Sequence, residues 1–294
     1  MTTIADLVAD ARRMTYGAMS EQINLINSNA AAGATTLNFE LDTSGITPGT
    51  VICSGLNVWY VKGANPATKE VFVIPGYDNA PQNAVTVGDQ VIVKPRVTTW
   101  YLFNAINDEI RKLSSPMNGL YRVGTWTVDV SPTYQTYEVP SEALDMTNIL
   151  RVRYRWPGTP DVWSDVRTSS YRWIVSETGN KIQLLVNIPS GTEIEFTYKA
   201  PFVEATSLDD DPVTDCGLAQ SMLDIPAIGA AASLLRTTDG RRNQITSQGD
   251  PRRAGEVQSG ANLSTASFFD REYKMRVQDE YARLIQRFPI FKGV

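Results

Sequence analysis

The sequence predicts an α+β fold: a discontinuous helical body into which two antiparallel β-units are inserted, one a small barrel and the other a β-sandwich. Three observations predict it. Apolar residues recur at helical spacing near 4–18, 98–114, 217–236 and 267–288. Between the first and second of these stretches, and again between the second and third, the period falls to two. With 294 residues, 42% hydrophobic and 20% charged, the chain exceeds the common domain size of roughly 100–200 residues and can bury sizeable cores. The helical body is expected to take 1–20, 96–119 and 206–294, the barrel 21–95 and the sandwich 120–205.

In the first helix Ile4, Leu7, Val8, Ala11, Met14 and Ala18 share a face, with Asp6, Asp10, Arg12 and Arg13 opposite. "TTLNFEL" then alternates Leu37, Phe39 and Leu41 with polar residues, as a strand does, and "TPGT" at 47–50 turns the chain. "VICSG", "NVWYVKG", "EVFVIPGY" and "DQVIVKP" are short β-branched and aromatic runs parted by Gly, Pro and Asn, the pattern of a small antiparallel barrel. "TTWYLFNAINDEIRKLSS" returns to helical spacing through Leu102, Phe103, Ile106, Ile110 and Leu113, and Pro116 and Gly119 end it. "GTWTVDV", "YQTYEV", "ILRVRYRW", "YRWIVS", "KIQLLV" and "TEIEFTYKAP" read as the strands of the sandwich. "LDIPAIGAAASLLR" offers Ile225, Ile228, Ala232 and Leu235 with small residues that let helices approach closely. The last helix carries Phe269, Tyr273, Val277, Tyr281, Leu284, Ile285 and Phe288, with Ser267 and Asp270 as its expected cap.

Histidine is absent, which excludes Ser–His–Asp and Cys–His catalysis and removes the commonest metal ligand. Cys53 and Cys216 stand far apart in unlike contexts and read as buried thiols. No glycine-rich phosphate loop and no GxSxG elbow occurs. Paired carboxylates are the remaining catalytic option. "LDDDP" at 208–212 reads as a solvated loop, and Asp161 and Asp165 about Trp163 read as an exposed β-loop with a half-buried Trp, a sugar platform being the alternative. The chain is therefore expected to be no enzyme, with no catalytic, metal or cofactor-binding residue and no cofactor.

The 27 Lys+Arg against 32 Asp+Glu give a net charge of −5, which disfavours tight retention of nucleic acid by the chain as a whole. In "ILRVRYRW" the alternation puts Arg151, Arg153 and Arg155 on one face; Glu193 and Glu195 are expected to answer them if the two strands are neighbours, a DNA contact being the alternative. Arg236, Arg241, Arg242, Arg252 and Arg253 gather in what reads as a glycine-punctuated loop before the last helix. Arg241, Arg242, Arg252 and Arg253 are the candidate contact with an acidic partner. The N-terminus lacks a basic start and continuous apolar run, and no stretch reaches the roughly 20 apolar residues of a membrane span, so synthesis in the cytoplasm and no membrane partner are expected.

"TPGTVICSGLNVWYVKG" followed by "VFVIPGYDNAPQNAVTVGDQVIV" resembles a small β-module common in tailed-bacteriophage virion proteins. That module has a "PG" turn opening a strand, an aromatic "xWYV" strand, an "RGY-G" turn and a closing "G-x-V" strand. Here Ile74-Pro75-Gly76-Tyr77 stands in place of the arginine–glycine start, and Asn83 falls where a histidine is frequent. The leading helix, the helix ending in "IRKLSS", the second β-unit and the closing "GLAQSMLDIPAIGAAASLL…GRRN…QGDPRRAGEV" together resemble head-to-tail connector (neck or adaptor) proteins of such phages.

The resemblance implies a virion protein at the head-tail junction, synthesised in the host cytoplasm. It implies a homo-oligomeric ring, a dodecamer, that joins portal protein to further neck or tail proteins while genomic DNA passes through without specific binding. The alternative is a tail- or baseplate-associated protein whose β-sandwich around Trp156, Trp163 and Trp173 recognises host surface glycan.

Overall fold

The computed structural model of the protein describes residues 2–16, 21–130, 136–140, 149–156, 162–167, 170–176, 179–186, 188, 191–246 and 261–288. In chain order its elements are α1 (Ile4–Tyr16), β1 (Gln22–Leu25), β2 (Thr36–Asn38), β3 (Val51–Ser54), β4 (Asn57–Asn65), β5 (Glu70–Pro75), β6 (Gln90–Val93) and α2 (Thr99–Leu113). There follow β7 (Arg122–Asp129), β8 (Thr136–Glu138), β9 (Ile149–Arg155), β10 (Trp163–Asp165), β11 (Tyr171–Ser176), β12 (Gly179–Leu184), β13 (Glu193–Ala200), α3 (Asp224–Thr246) and α4 (Ala261–Arg287). The fold is α+β with antiparallel sheets. Two compact units divide it, one of Met1–Ile110, Glu204–Cys216 and Gln220–Arg276, the other of Arg111–Val203, Gly217–Ala219 and Val277–Val294.

In the first unit α1 packs on α3 through the apolar face its spacing predicts, with Ile4, Leu7, Val8 and Ala11 buried. Its start is capped twice. Asp6 Oδ2 accepts the Thr3 amide at 2.8 Å, and the carbonyls of Leu208 and Asp210 take the amides of Ala5 and Ile4. The acidic "LDDDP" stretch is a loop, as expected, with Asp209 exposed, and it also caps the helix: the Asp210 carboxylate in turn accepts the amides of Thr206 and Ser207 at 2.7 and 2.9 Å. These bonds hold the Asp210 carboxyl below the usual carboxylate range, the Ser207 amide most of all.

Helix α2 buries Leu102, Phe103, Ile106, Ile110 and Leu113, the stripe predicted from the sequence. It approaches α3 so closely that a Cβ added at Gly229 would lie 2.6 Å from Glu109 Oε2. Asn107, also buried on α2, pairs both ways with the backbone of Ala205: its Nδ2 donates to the carbonyl and its Oδ1 accepts the amide, each at 2.9 Å.

The six-stranded sheet runs β1-β6-β3-β4-β5-β2, and its edges meet. The Asn27 amide donates to Asn38 O and the Glu40 amide to Leu25 O, both at 2.8 Å, around a bridge between Ile26 and Phe39. Ile26, Leu37, Phe39, Ile52, Val61, Val71, Val73 and Val91 fill the interior. Leu41 departs from the expected alternation and is exposed, because the strand ends at Asn38 and the chain bends as the Leu41 amide is taken by Asn24 Oδ1. The "PGY" turn needs its glycine: Gly76 has φ 69°, Asp78 and Asn79 also adopt positive φ, and a Cβ at Gly76 would meet Gln82 Nε2 at 2.5 Å. Tyr77 then stacks on Tyr60 of β4 with ring centroids 5.6 Å apart.

The second unit holds a four-stranded sheet, β10-β9-β13-β7, and a three-stranded one, β11-β12-β8. One apolar cluster draws on both: Val152, Ile194 and Phe196 from the first, Tyr137, Tyr171 and Ile182 from the second. Trp163 is half-buried, as expected, but lies on edge strand β10, paired with Arg155, rather than in a loop.

Both C-terminal helices begin or end elsewhere than periodicity indicates. α3 continues through Thr246, so Arg236, Arg241 and Arg242 lie on a helix rather than in a loop. The run 237–246 has no apolar period, which makes it invisible to that criterion, yet its backbone continues the ladder of α3. α4 starts six residues before Ser267, whose hydroxyl donates back to the Leu263 carbonyl at 2.8 Å instead of capping. No helix among the described residues is long and apolar enough to cross a membrane.

Candidate functional site

Of the four arginines nominated for a partner contact, Arg241 and Arg242 sit near the C-terminal end of α3, and their side chains lie outside what is described. Arg252 and Arg253 fall between α3 and α4, outside the described residues. The surroundings of that cluster are set by two ion pairs that run α3 and α4 antiparallel. Arg276 grips Asp224 at the start of α3, with Nε and Nη2 at 2.7 and 3.0 Å from the two oxygens, and also donates to the Ser221 carbonyl. Twelve residues along α3, Arg236 reaches Asp270 at 2.8 Å, and Lys274 reaches the same carboxylate at 2.9 Å. The Lys274 hydrogen bond, with Arg236 beside it, holds the Asp270 carboxyl below its usual range. Arg236 therefore serves the helix pair.

The remainder of α4 is poorly covered. Among its described side chains only Ala266, Val277 and Glu280 are buried. Leu263, Phe268, Met275, Tyr281 and Ile285 are between 39% and 61% exposed. Of the face expected at Phe269, Tyr273, Val277, Tyr281, Leu284, Ile285 and Phe288, only Val277 is buried, Phe269, Tyr273, Leu284 and Phe288 are half-buried and Tyr281 and Ile285 are exposed, while Phe268 and Met275 lie outside it. Their spacing of seven residues was the signal available for a second seam.

The arginine stripe of β9 is answered from within its own unit. Arg153 and Arg155 face Glu195 and Glu193 in the register of β9 with β13, and each forms an ion pair there. Arg151 instead takes Asp165 of β10, with Nε to Oδ1 at 2.6 Å and Nη2 to Oδ2 at 3.1 Å. That pair depresses the Asp165 carboxyl and raises the Arg151 guanidinium. The ring of Trp163 lies 4.5 and 5.1 Å from the guanidinium carbons of Arg153 and Arg155, a cation–π contact with the arginine stripe. Asp161, its other flanking carboxylate, lies outside the described residues.

Both thiols are buried and unpaired with each other. Burial raises the Cys53 pKa despite hydrogen bonds from Thr99. Burial and then Asp210, Asp215 and Asp211 push Cys216 to about 11, so neither carries thiolate character at neutral pH. No group of three or more metal-ligating side chains occurs among the described residues. No protein-family model matches the chain, and no curated protein matches it either.

Proposed function

We propose that the protein is a structural component of a tailed-phage virion, a connector that forms a ring between portal and tail and lines the channel through which DNA leaves. In this reading the finer architecture is a helical body, α1 to α4, carrying a small barrel and a β-sandwich as inserted units. The helices stand side by side around the ring and the β-units present contact faces. The partners are the portal protein, further neck or tail proteins and other copies of the same chain.

The observation that carries the reading is α4. Helices in proteins are held chiefly by tertiary packing of an apolar face. Here 27 residues leave Leu263, Phe268, Met275, Tyr281 and Ile285 between 39% and 61% exposed. A neighbouring subunit supplies the missing surface, and the same heterologous contact repeated around an axis closes a ring. The net charge of −5 suits a channel that DNA must slip through rather than grip. The sequence resemblance supplies the place in the virion.

The experiment is to locate labelled protein in assembled particles by electron microscopy, together with a variant bearing Phe268→Asp and Met275→Asp. Label at the neck, and a variant that stays folded but fails to enter particles, is the expected result. Label at the tail tip or along a fibre, with none at the neck, overturns the connector reading.

A further inference from the structure

We propose that the second unit carries a binding site for a neutral carbohydrate, a small cavity that seats one pyranose ring against Trp156. The cavity has a volume of about 290 Å³, at the lower end of the range from roughly 300 Å³ in which ligand sites fall. It lies where the chain crosses from one sheet to the other. Tyr154 and Trp156 come from the end of β9, Asp165 from edge strand β10, Arg167 and Ser170 from the link to edge strand β11, and Ile188 from beyond β12.

Three backbone bonds hold parts of the lining. The amide of Val166 donates to Val152 O, that of Ser170 to Arg167 O and that of Leu185 to Ser170 O, each at 2.8 Å. Ile188 is buried and forms an apolar floor. Trp156 is 44% exposed and stands edge-on to Tyr154, with centroids 5.9 Å apart and planes at 72°. A wide aromatic surface is thereby held in a set orientation at the rim.

The polar groups select the ligand class. Asp165 is clamped by Arg151, which does not line the cavity, so the orientation of its carboxylate is set before any ligand arrives. Each carboxylate oxygen has acceptor capacity beyond the bond it receives from Arg151. Arg167 contributes donors only, and the Ser170 hydroxyl serves as donor or acceptor. One negative and one positive side chain share the lining, and Asp165 is already paired with Arg151, so the cavity offers lone pairs and N–H donors without a large excess of either charge. Such a lining suits a neutral ligand that offers an apolar C–H face to an aromatic ring and hydroxyls that donate and accept in adjoining positions. A pyranose has that chemistry. The site is independent of ring formation, and its failure leaves the connector reading untouched.

The test uses the full-length protein and ligand-observed saturation-transfer NMR, with the methyl glycosides of glucose, galactose, mannose and N-acetylglucosamine as probes and glycerol as control. Transfer to the ring C–H protons of at least one glycoside, with none to glycerol, is expected. Affinity should fall about tenfold in Trp156→Ala, as loss of one stacking contact implies, and should also fall in Ser170→Ala. Circular dichroism reports folding of each variant, and Ser170→Ala decides the matter should Trp156→Ala unfold. No transfer from any glycoside overturns the proposal, as does transfer that the folded variants leave unchanged.

Discussion

Arg153 and Glu195 form a two-pronged ion pair across neighbouring strands: Nε donates to Oε1 at 2.8 Å and Nη2 to Oε2 at 3.0 Å. The guanidinium is closed from above by Trp163, and the Glu195 side chain is only 14% exposed. Such a pair differs in kind from Arg151–Asp165, whose side chains are 48% and 62% exposed. Arg153→Ala is expected to cost about 2 kcal/mol, because a charge-assisted pair is broken and a half-buried carboxylate is stranded. Arg151→Ala is expected to cost under about 1 kcal/mol. A double-mutant cycle by urea unfolding checks both, and zero coupling between Arg153 and Glu195 would refute the distinction.

Asn107 is expected to be the costliest polar position of the first unit. Asn107→Ala strands the amide and the carbonyl of Ala205, both parts of a buried residue, and should destabilise the protein by about 2–4 kcal/mol. Denaturant unfolding measures it; a loss below about 0.5 kcal/mol would mean that other groups replace the side chain.

Stability should be level through the neutral range and fall only in acid. With no histidine, no side chain of ordinary pKa titrates between about pH 5.5 and 8. Asp210, Asp165 and Asp270 all have folded pKa values depressed, by the Ser207 amide, Arg151 and Lys274 respectively. A depressed carboxylate stabilises the fold fully above its unfolded value, about 3.9, and loses that contribution as pH falls through the folded value. Thermal melts should therefore hold steady down to about pH 5 and decline below about pH 4, less steeply in Asp210→Asn. An equal slope in that variant would remove Asp210 from the account.

Neither thiol should react in the folded protein. Cys53 and Cys216 are fully buried, and Cys216 titrates near 11. Iodoacetamide at pH 8 should leave both unmodified until denaturant is added, when both alkylate. Rapid labelling of Cys216 without denaturant would show that the stretch about it opens locally.

If Arg241, Arg242, Arg252 and Arg253 form the proposed partner contact, replacing them together with alanine should leave the melting temperature of the isolated protein nearly unchanged, since charges held for a partner contribute little to the stability of the free chain. On the proposed connector reading, joining to an acidic partner should be impaired, read as loss of co-sedimentation with portal rings. Normal joining would show that the cluster is merely solvated.

How much of this was legible beforehand depends on the range of the interaction. The stripe of α2 was readable because Leu102, Phe103, Ile106, Ile110 and Leu113 repeat every three or four residues, and one helix turn encodes its own buried face. The same holds for Ile194, Phe196 and Tyr198 of β13, where alternation alone separates the core from the glutamates. That Arg153 meets Glu195 was conditional on which strands are neighbours; the pairing of β9 with β13 decided it. The capture of Asp165 by Arg151 depends on β10 being a strand at all, which three residues are too few to announce. Likewise Ser267 and Asp270 have the spacing of a cap, but Asp270 is claimed by Arg236 from α3 and the helix begins earlier. The sequence by itself determined the strongly periodic elements and the faces they bury, such as α1, α2 and β13, because those follow from local periodicity. Only the tertiary structure decided which charges pair, where α3 and α4 begin and end, and which residues stand around the cavity at Trp156. Those outcomes depend on side chains tens of residues apart being brought within a few ångströms, and no local pattern carries that information.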